Sequence, residues 1–491
     1  MSGPFRKKTF CMKRLRSFAV ALCPALFLGL SACAPDSGFP PAMDLPDRFD
    51  AEGTSKETRP VSLVWWQGFR SSELNRLVEA ARLNNLDVAV ALARIDQADA
   101  QVTMAGSSLY PAINADGGGQ RSMSSGARSK RSHSTLYSGL LSASYELDFW
   151  GKNRNNLLSA EHSAAAARFN YDVIELSTIA AVANTYLQLL AAQDRLRVNR
   201  ENLANASSLL DVIRQRVEVG TGTSLDLAQQ ETVVAQQRAQ LPPLQIELSQ
   251  NRNALAVLVG EFPEKTSIKG GSLNSLGAPR PGAGMPSELM LRRPDIMQSE
   301  AQLSSSNAAV ASARAALFPS IRLTGNAGYE SPVLKTMFTP QSALYSLAAN
   351  FSQPIFDGNN LRAQVTLAEG MREEDLQNYR KTVISAFSDV EQALVAVRET
   401  SRQYQLQGEA TKSARNAYKI AEEQLRSGTI DITTVLNTQR TYFSAQELLI
   451  SARLSQLQAI VSLHQALGGG WAASDITVAA RMSGTGQRHG Q

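Results

Sequence analysis

Apolar residues recur every three or four positions along two long stretches of the chain. In the first, Leu176, Ala180, Ala183, Leu187 and Leu190 alternate in steps of four and three, and Leu196, Leu203, Leu210 and Val217 follow in sevens. In the second, Val383, Phe387, Val390, Leu394 and Val397 lead to Tyr404, Thr411, Tyr418 and Leu425. Each climb ends at a Gly-Thr turn, Val219-Gly220-Thr221-Gly222 and then Ser427-Gly428-Thr429. A returning heptad pattern follows each turn: Leu227, Val234, Leu241, Leu248 and Leu255, then Val435, Tyr442, Leu449, Gln456 and Leu463. Heptads sustained this far predict two antiparallel helical hairpins with coiled-coil packing.

The hairpins are a duplication. Gly220 and Gly428 lie 208 residues apart, as do Gly260 and Gly468, which close the returning helices. The upper ascending stripes are offset by 207, which reads as one residue gained in the second copy. The first climb, Asn153 to Val219, is 67 residues, a rod of roughly 100 Å at about 1.5 Å per residue. No compact core needs that length. Pro242-Pro243 in the first returning helix predicts a kink or break, because proline removes a donor and clashes one turn back.

Upstream of each hairpin the period changes to two. Ile321, Leu323, Ala327 and Tyr329 alternate with Arg322, Thr324, Asn326 and Glu330, and Tyr345, Leu347, Ala349 and Phe351 with Ser346, Asn350 and Ser352. The first copy has Ile113 beside Asn114 and Asp116, then Tyr137, Leu141, Tyr145 and Leu147 against Ser138, Ser142, Ser144 and Glu146. Four segments of about ten residues can cross a bilayer as tilted strands, where a soluble reading would give two hairpins with one face on a core. A helical segment precedes each strand pair, and Leu83-Asn84-Asn85-Leu86-Asp87 stands 208 residues before Leu291-Arg292-Arg293-Pro294-Asp295. Pro294 and Asp295 suit a first helical turn, which gives the two arginines a structural setting.

Four strands cannot close a barrel, and an open edge in lipid leaves backbone groups unpaired at several kcal/mol each. At least two copies must therefore share one barrel. The sequence does not choose among two, three or more.

Composition alters this picture only at the amino terminus. The net charge of +5 suggests a basic protein, but Arg6, Lys7, Lys8, Lys13, Arg14 and Arg16 all precede an apolar run from Phe18 to Leu30, and removing residues 1–32 leaves −1. Nucleic-acid binding has no support from charge. The run is short for a membrane helix and right for a signal peptide. Leu30-Ser31-Ala32-Cys33 after it has the form of a lipobox, with lipid attached to Cys33. Cys11 and Cys23 fall in the removed segment, so no disulfide framework forms. The expected segments are a signal peptide (1–32), a lipid-anchored, proline-rich extended tether (33–60), a first repeat (61–260), an inter-repeat linker (261–286), a second repeat (287–471) and a tail expected to be disordered (472–491). Met12 is an alternative start.

The lipobox, Trp65-Trp66-Gln67-Gly68-Phe69, Asp148-Phe149-Trp150-Gly151-Lys152, Leu291-Arg292-Arg293-Pro294-Asp295 and Ala466-Leu467-Gly468-Gly469-Gly470-Trp471 occur in one order. Together they resemble the TolC-like outer membrane efflux factors, and most nearly the NodT-type lipoproteins, over residues 60 to 472. The resemblance implies a fold that is mainly α with membrane β: a homotrimer with a shared twelve-stranded barrel and a periplasmic tunnel of helices. It implies a periplasmic adaptor (a membrane fusion protein) and an inner-membrane pump, commonly of the resistance-nodulation-division type. Outer-membrane sorting follows from Ala34 after the cysteine.

No catalytic constellation is found: His133, His162, His464 and His489 are scattered, and no cofactor or metal is expected. The protein reads as a passive duct for small toxic compounds and not an enzyme. A type I protein secretion duct and a poreless envelope-spanning coiled coil remain the alternatives. A duct needs a closable end. The resemblance places the periplasmic gate at Asp226, Asp431, Asn437 and Arg440, just beyond the turns. It makes the turns themselves, Gly220, Thr221, Gly222, Gly428 and Thr429, the adaptor-docking tips. Asp226 and Asp431 also suit plain helix capping. Arg440, a cation early in a returning helix, opposes the dipole and wants another reason.

Overall fold

A computed structural model describes residues 46, 49, 62–124, 132–279 and 289–470. The chain divides into Met1–Pro41, which lies outside the described residues, and Ala42–Gln491, to which all that follows refers. The expected signal peptide, the lipid site Cys33, most of the tether, the β-hairpin loop 125–131 and the tail from 471 onward also lie outside them.

After a 3-10 turn, Trp65–Phe69, the first repeat runs α1 (Ser72–Asn84), α2 (Leu86–Ser107), β1 (Ala112–Ser124), β2 (Ser132–Glu146), α3 (Lys152–Glu218) and α4 (Ser224–Leu258). The second runs α5 (Pro294–Ala315), β3 (Ser320–Ser331), β4 (Ala343–Ser352), α6 (Asn360–Arg426) and α7 (Ile432–Ala466). The predicted single helix before β1 is broken at Asn85, whose extended backbone and side chain cap α2 by accepting from Asp87 N and Val88 N.

α3 and α6 are both 67 residues, with starts and ends each 208 apart. The offset change is thus a change of buried face and not an inserted residue. α3 packs against α1, α2, α4, α5 and α7, while α6 packs against α5 and α7, so the two helices present different stripes. No residue named in the heptads is exposed. α4 continues through Pro242 and Pro243 without the expected break. Both prolines are exposed, where water can reach the carbonyls that lose their donors.

The strands form one antiparallel sheet in the order β1-β2-β3-β4. Its register puts Ile113, Leu141, Tyr145, Leu323, Tyr345, Leu347 and Phe351 on one face and Asn114, Asp116, Ser138, Ser142, Thr324, Asn326 and Asn350 on the other. Much of the apolar face is uncovered: Tyr345 is 90% and Leu347 85% exposed. β1 and β4 are open edges among the described residues.

The stretch after α4, expected as a linker, is packed. Ile268, Leu273 and Leu276 are buried with Trp65, Trp66, Phe69, Leu187 and Leu190. Buried Asp194 accepts from Ser272 Oγ and Leu273 N, and Glu73 from Lys269 N and Gly270 N. Within the expected tether, Phe49 is buried against Phe387.

Candidate functional site at the hairpin tips

The two turns are built alike. Gly220 and Gly428 take φ of +77° and +74°, the left-handed conformation glycine adopts without strain. Each following threonine then closes the helix behind it. Thr221 donates its N–H (2.8 Å) and hydroxyl (3.1 Å) to the Arg216 carbonyl, and Thr429 donates both to the Gln424 carbonyl at 3.0 Å. The threonines are therefore exposed at the surface but satisfied locally.

Both candidate acids cap helices. Asp226 accepts from Thr223 N at 2.9 Å while Thr223 Oγ1 accepts from Asp226 N at 3.1 Å, a reciprocal capping box. Asp431 accepts from Thr434 N at 2.9 Å and from the Thr434 hydroxyl at 3.3 Å.

Asn437 and Arg440 stand three residues apart on one exposed face of α7. α7 packs inward through Val435, Leu436, Gln439 and Phe443, which turns the 437/440 face outward. Arg440 meets no partner within the chain among the described residues.

Sequence reasoning missed Arg216. From the last turn of α3 its Nη1 donates 3.0 Å to the carbonyl oxygen of Leu425, in the last turn of α6. This brings the two tips together above a core of Leu209, Ile213, Val233, Leu425, Ile432 and Val435. A cation near a helix C-terminus is favourable in itself, so its position alone could not mark the crossing. Just below, Tyr418 of α6 stacks on Tyr442 of α7 (5.9 Å, 16°) and accepts from Gln439 Nε2 at 3.3 Å. Burial, aided by the Glu422 charge, raises the Tyr418 hydroxyl pKa.

Arg293 is likewise accounted for by structure. It reaches both oxygens of Asp295 (3.0 and 2.7 Å), Asp389 (3.1 Å) and the carbonyls of Ala386 and Ala466. Burial opposes its charge, but these carboxylates raise its pKa above the usual value. Among the described residues no group of three His, Cys, Asp or Glu could hold a metal ion.

The sequence profile of the family described as "Outer membrane efflux protein" matches twice, at residues 77–261 and 285–469, one match per repeat. The chain is 38% identical to the pyoverdine export outer membrane protein OpmQ of Pseudomonas putida over 92% of this chain and 97% of that one. It is 33% identical to the toluene efflux pump outer membrane protein TtgC of Pseudomonas putida, over 83% and 85%. The crystal structure of the Campylobacter jejuni CmeC outer membrane channel superposes with a TM-score of 0.84 at 26% identity, covering 90% of this chain and 96% of that one.

Proposed function

Because the chain belongs to the outer membrane efflux protein family, we propose that it works as the exit duct of a tripartite efflux system, with three copies closing one barrel and one periplasmic tunnel. The observation that carries this reading is the four-stranded sheet with a polar face, an apolar face and two edges unpaired among the described residues. In lipid such edges must be paired, and further copies of the same sheet pair them. The outer membrane is the site of action. The lipid on Cys33 would add an anchor, and a poreless coiled coil would have no use for the sheet.

The duct passes small toxic compounds handed over by a periplasmic adaptor and an inner-membrane pump, in our reading one of the resistance-nodulation-division type. Relatives named for pyoverdine, toluene and cations share this scaffold. Cargos that unlike are better discriminated by the pump than by a common duct, and they favour small-molecule efflux over protein secretion. No step of this work needs a catalytic group. The tips dock the adaptor, and the outward-turned Asn437 and Arg440 close the mouth against neighbouring copies, while Asp226 and Asp431 hold the returning helices in place.

Photo-crosslinking in cells from Thr221 and Thr429 tests the partner. Capture of an adaptor is the expected result. Efficient export with neither tip captured by any adaptor would overturn the docking assignment.

A further inference from the structure

The loop joining β3 to β4, residues 332–342, folds back onto the sheet. Met337 is only 7% exposed, because its Cε lies over Gly139, where a Cβ would stand 2.9 Å away. Next to it Phe338 meets Tyr329 edge to face at 5.6 Å. Gly139 and Tyr329 are register partners on the apolar face, with Leu141 and Leu347. The loop therefore lies over the apolar side of the sheet at the Gly139 and Tyr329 end.

The loop also satisfies its own backbone. Val333 N donates to Ser331 Oγ, and the N–H groups of Thr336, Met337, Thr339 and Ser342 donate to carbonyls of Val333, Leu334, Thr336 and Thr339. The hydroxyls of Thr339 and Ser342 both donate to the Thr336 carbonyl at 2.8 Å. A loop wired this way leaves few polar groups to pair when water is removed. Its largest exposed side chains include Val333 at 53%, Leu334 at 60% and Phe338 at 76%, with Lys335, Thr336 and Gln341 exposed beside them.

We propose that this loop is an interfacial lipid anchor. Val333, Leu334 and Phe338 enter the acyl region at the rim of the outer leaflet, Met337 locks the loop into the Gly139 notch, and Lys335 extends its stem toward the headgroups. Tyr329 lies two residues below the end of β3, about 7 Å, within the roughly 5 to 10 Å reached by interfacial segments. A second copy suits the surface less well, because the loop leans across β3 to β2 whereas the open edges are β1 and β4. The proposal rests on the sheet being the membrane domain. It assigns this loop to holding the barrel at the surface and not to closing the pore.

The test uses the full chain in vesicles of phosphatidylethanolamine and phosphatidylglycerol. Spin labels are placed by Leu334→Cys or Phe338→Cys, with Leu347→Cys and Ser346→Cys as references for the apolar and polar faces. The labelled unsubstituted protein supplies the background from any native cysteine left unprocessed. The expected result is that labels at 334 and 338 relax with oxygen and not with a water-soluble nickel chelate, as at 347 and unlike 346. Nickel access at 334 and 338 with lipid immersion at 347 overturns the anchor alone. Access to neither reagent means protein contact and also overturns it. Nickel access at 347 as well overturns the membrane assignment beneath it.

Discussion

Asn85 Nδ2 donates 2.8 Å to the carbonyl oxygen of Leu258, the last residue of α4. The second repeat makes the same link 208 residues later with different chemistry, Arg293 Nη1 donating 3.2 Å to the carbonyl of Ala466 at the end of α7. In each repeat the residue at the N-cap position of the helix before the strands also satisfies the end of the returning helix. The glycines that follow, Gly260 and Gly468, have φ of +72° and +69° and pack directly on the carbonyls of Asn84 and Arg292.

Asn85→Ala removes both the cap of α2 and the donor to Leu258 from a buried site. A loss of about 2 kcal/mol is expected, read as a lower denaturant midpoint with an unchanged slope. Arg293→Lys should behave nearly as badly as Arg293→Ala, because an ammonium cannot span Asp295, Asp389 and two carbonyls at once.

Gly260→Ala and Gly468→Ala should each damage folding more than either capping variant. An alanine there is strained by its positive φ, and its Cβ overlaps backbone that has no room to yield. Markedly reduced protein in the outer membrane is the expected readout, while Gly220→Ala, with open space around it, should cost about 1 kcal/mol.

Much of this fold was legible in the sequence, because heptads and alternation are local records of which face is buried. The stripe ending in Leu203, Leu210 and Val217 and the alternation from Ile321 to Tyr329 both describe faces the structure uses. The roles of Asp226 and Asp431 as caps could be read from their place after each turn. What escaped depends on tertiary neighbours. Pro242-Pro243 breaks no helix because its exposed side is open to solvent, and nothing near Arg216 in sequence points to Leu425. That the described part of the inter-repeat linker, residues 261–279, is packed could not be read from it, because the side chains that hold it, Glu73 and Asp194, are far away in sequence.

Arg440→Ala is expected to loosen the closed mouth and raise uptake of a large antibiotic such as vancomycin, seen as severalfold greater susceptibility at normal expression. Arg216→Ala should act in the same direction by releasing the two tips. Unchanged susceptibility in Arg440→Ala would remove it from the gate.

His464 is 4% exposed and stacks on Trp65 at 5.0 Å. Neither ring nitrogen has a hydrogen-bond partner among the described residues, and burial lowers its pKa from 6.5 to about 4. The folded state therefore binds fewer protons than the unfolded one between those values. Stability should fall as pH drops from 6.5 toward 4, by on the order of 3 kcal/mol from this group. His464→Phe, which keeps the stack, should flatten that part of the denaturant-midpoint profile against pH.

The four-stranded sheet is one share of a closed barrel. Imaging of detergent-solubilised particles by electron cryomicroscopy tests it most directly. Threefold particles with a hollow barrel of twelve strands above a tunnel of helices are expected. Monomers, or assemblies in which β1 and β4 remain unpaired, would contradict it.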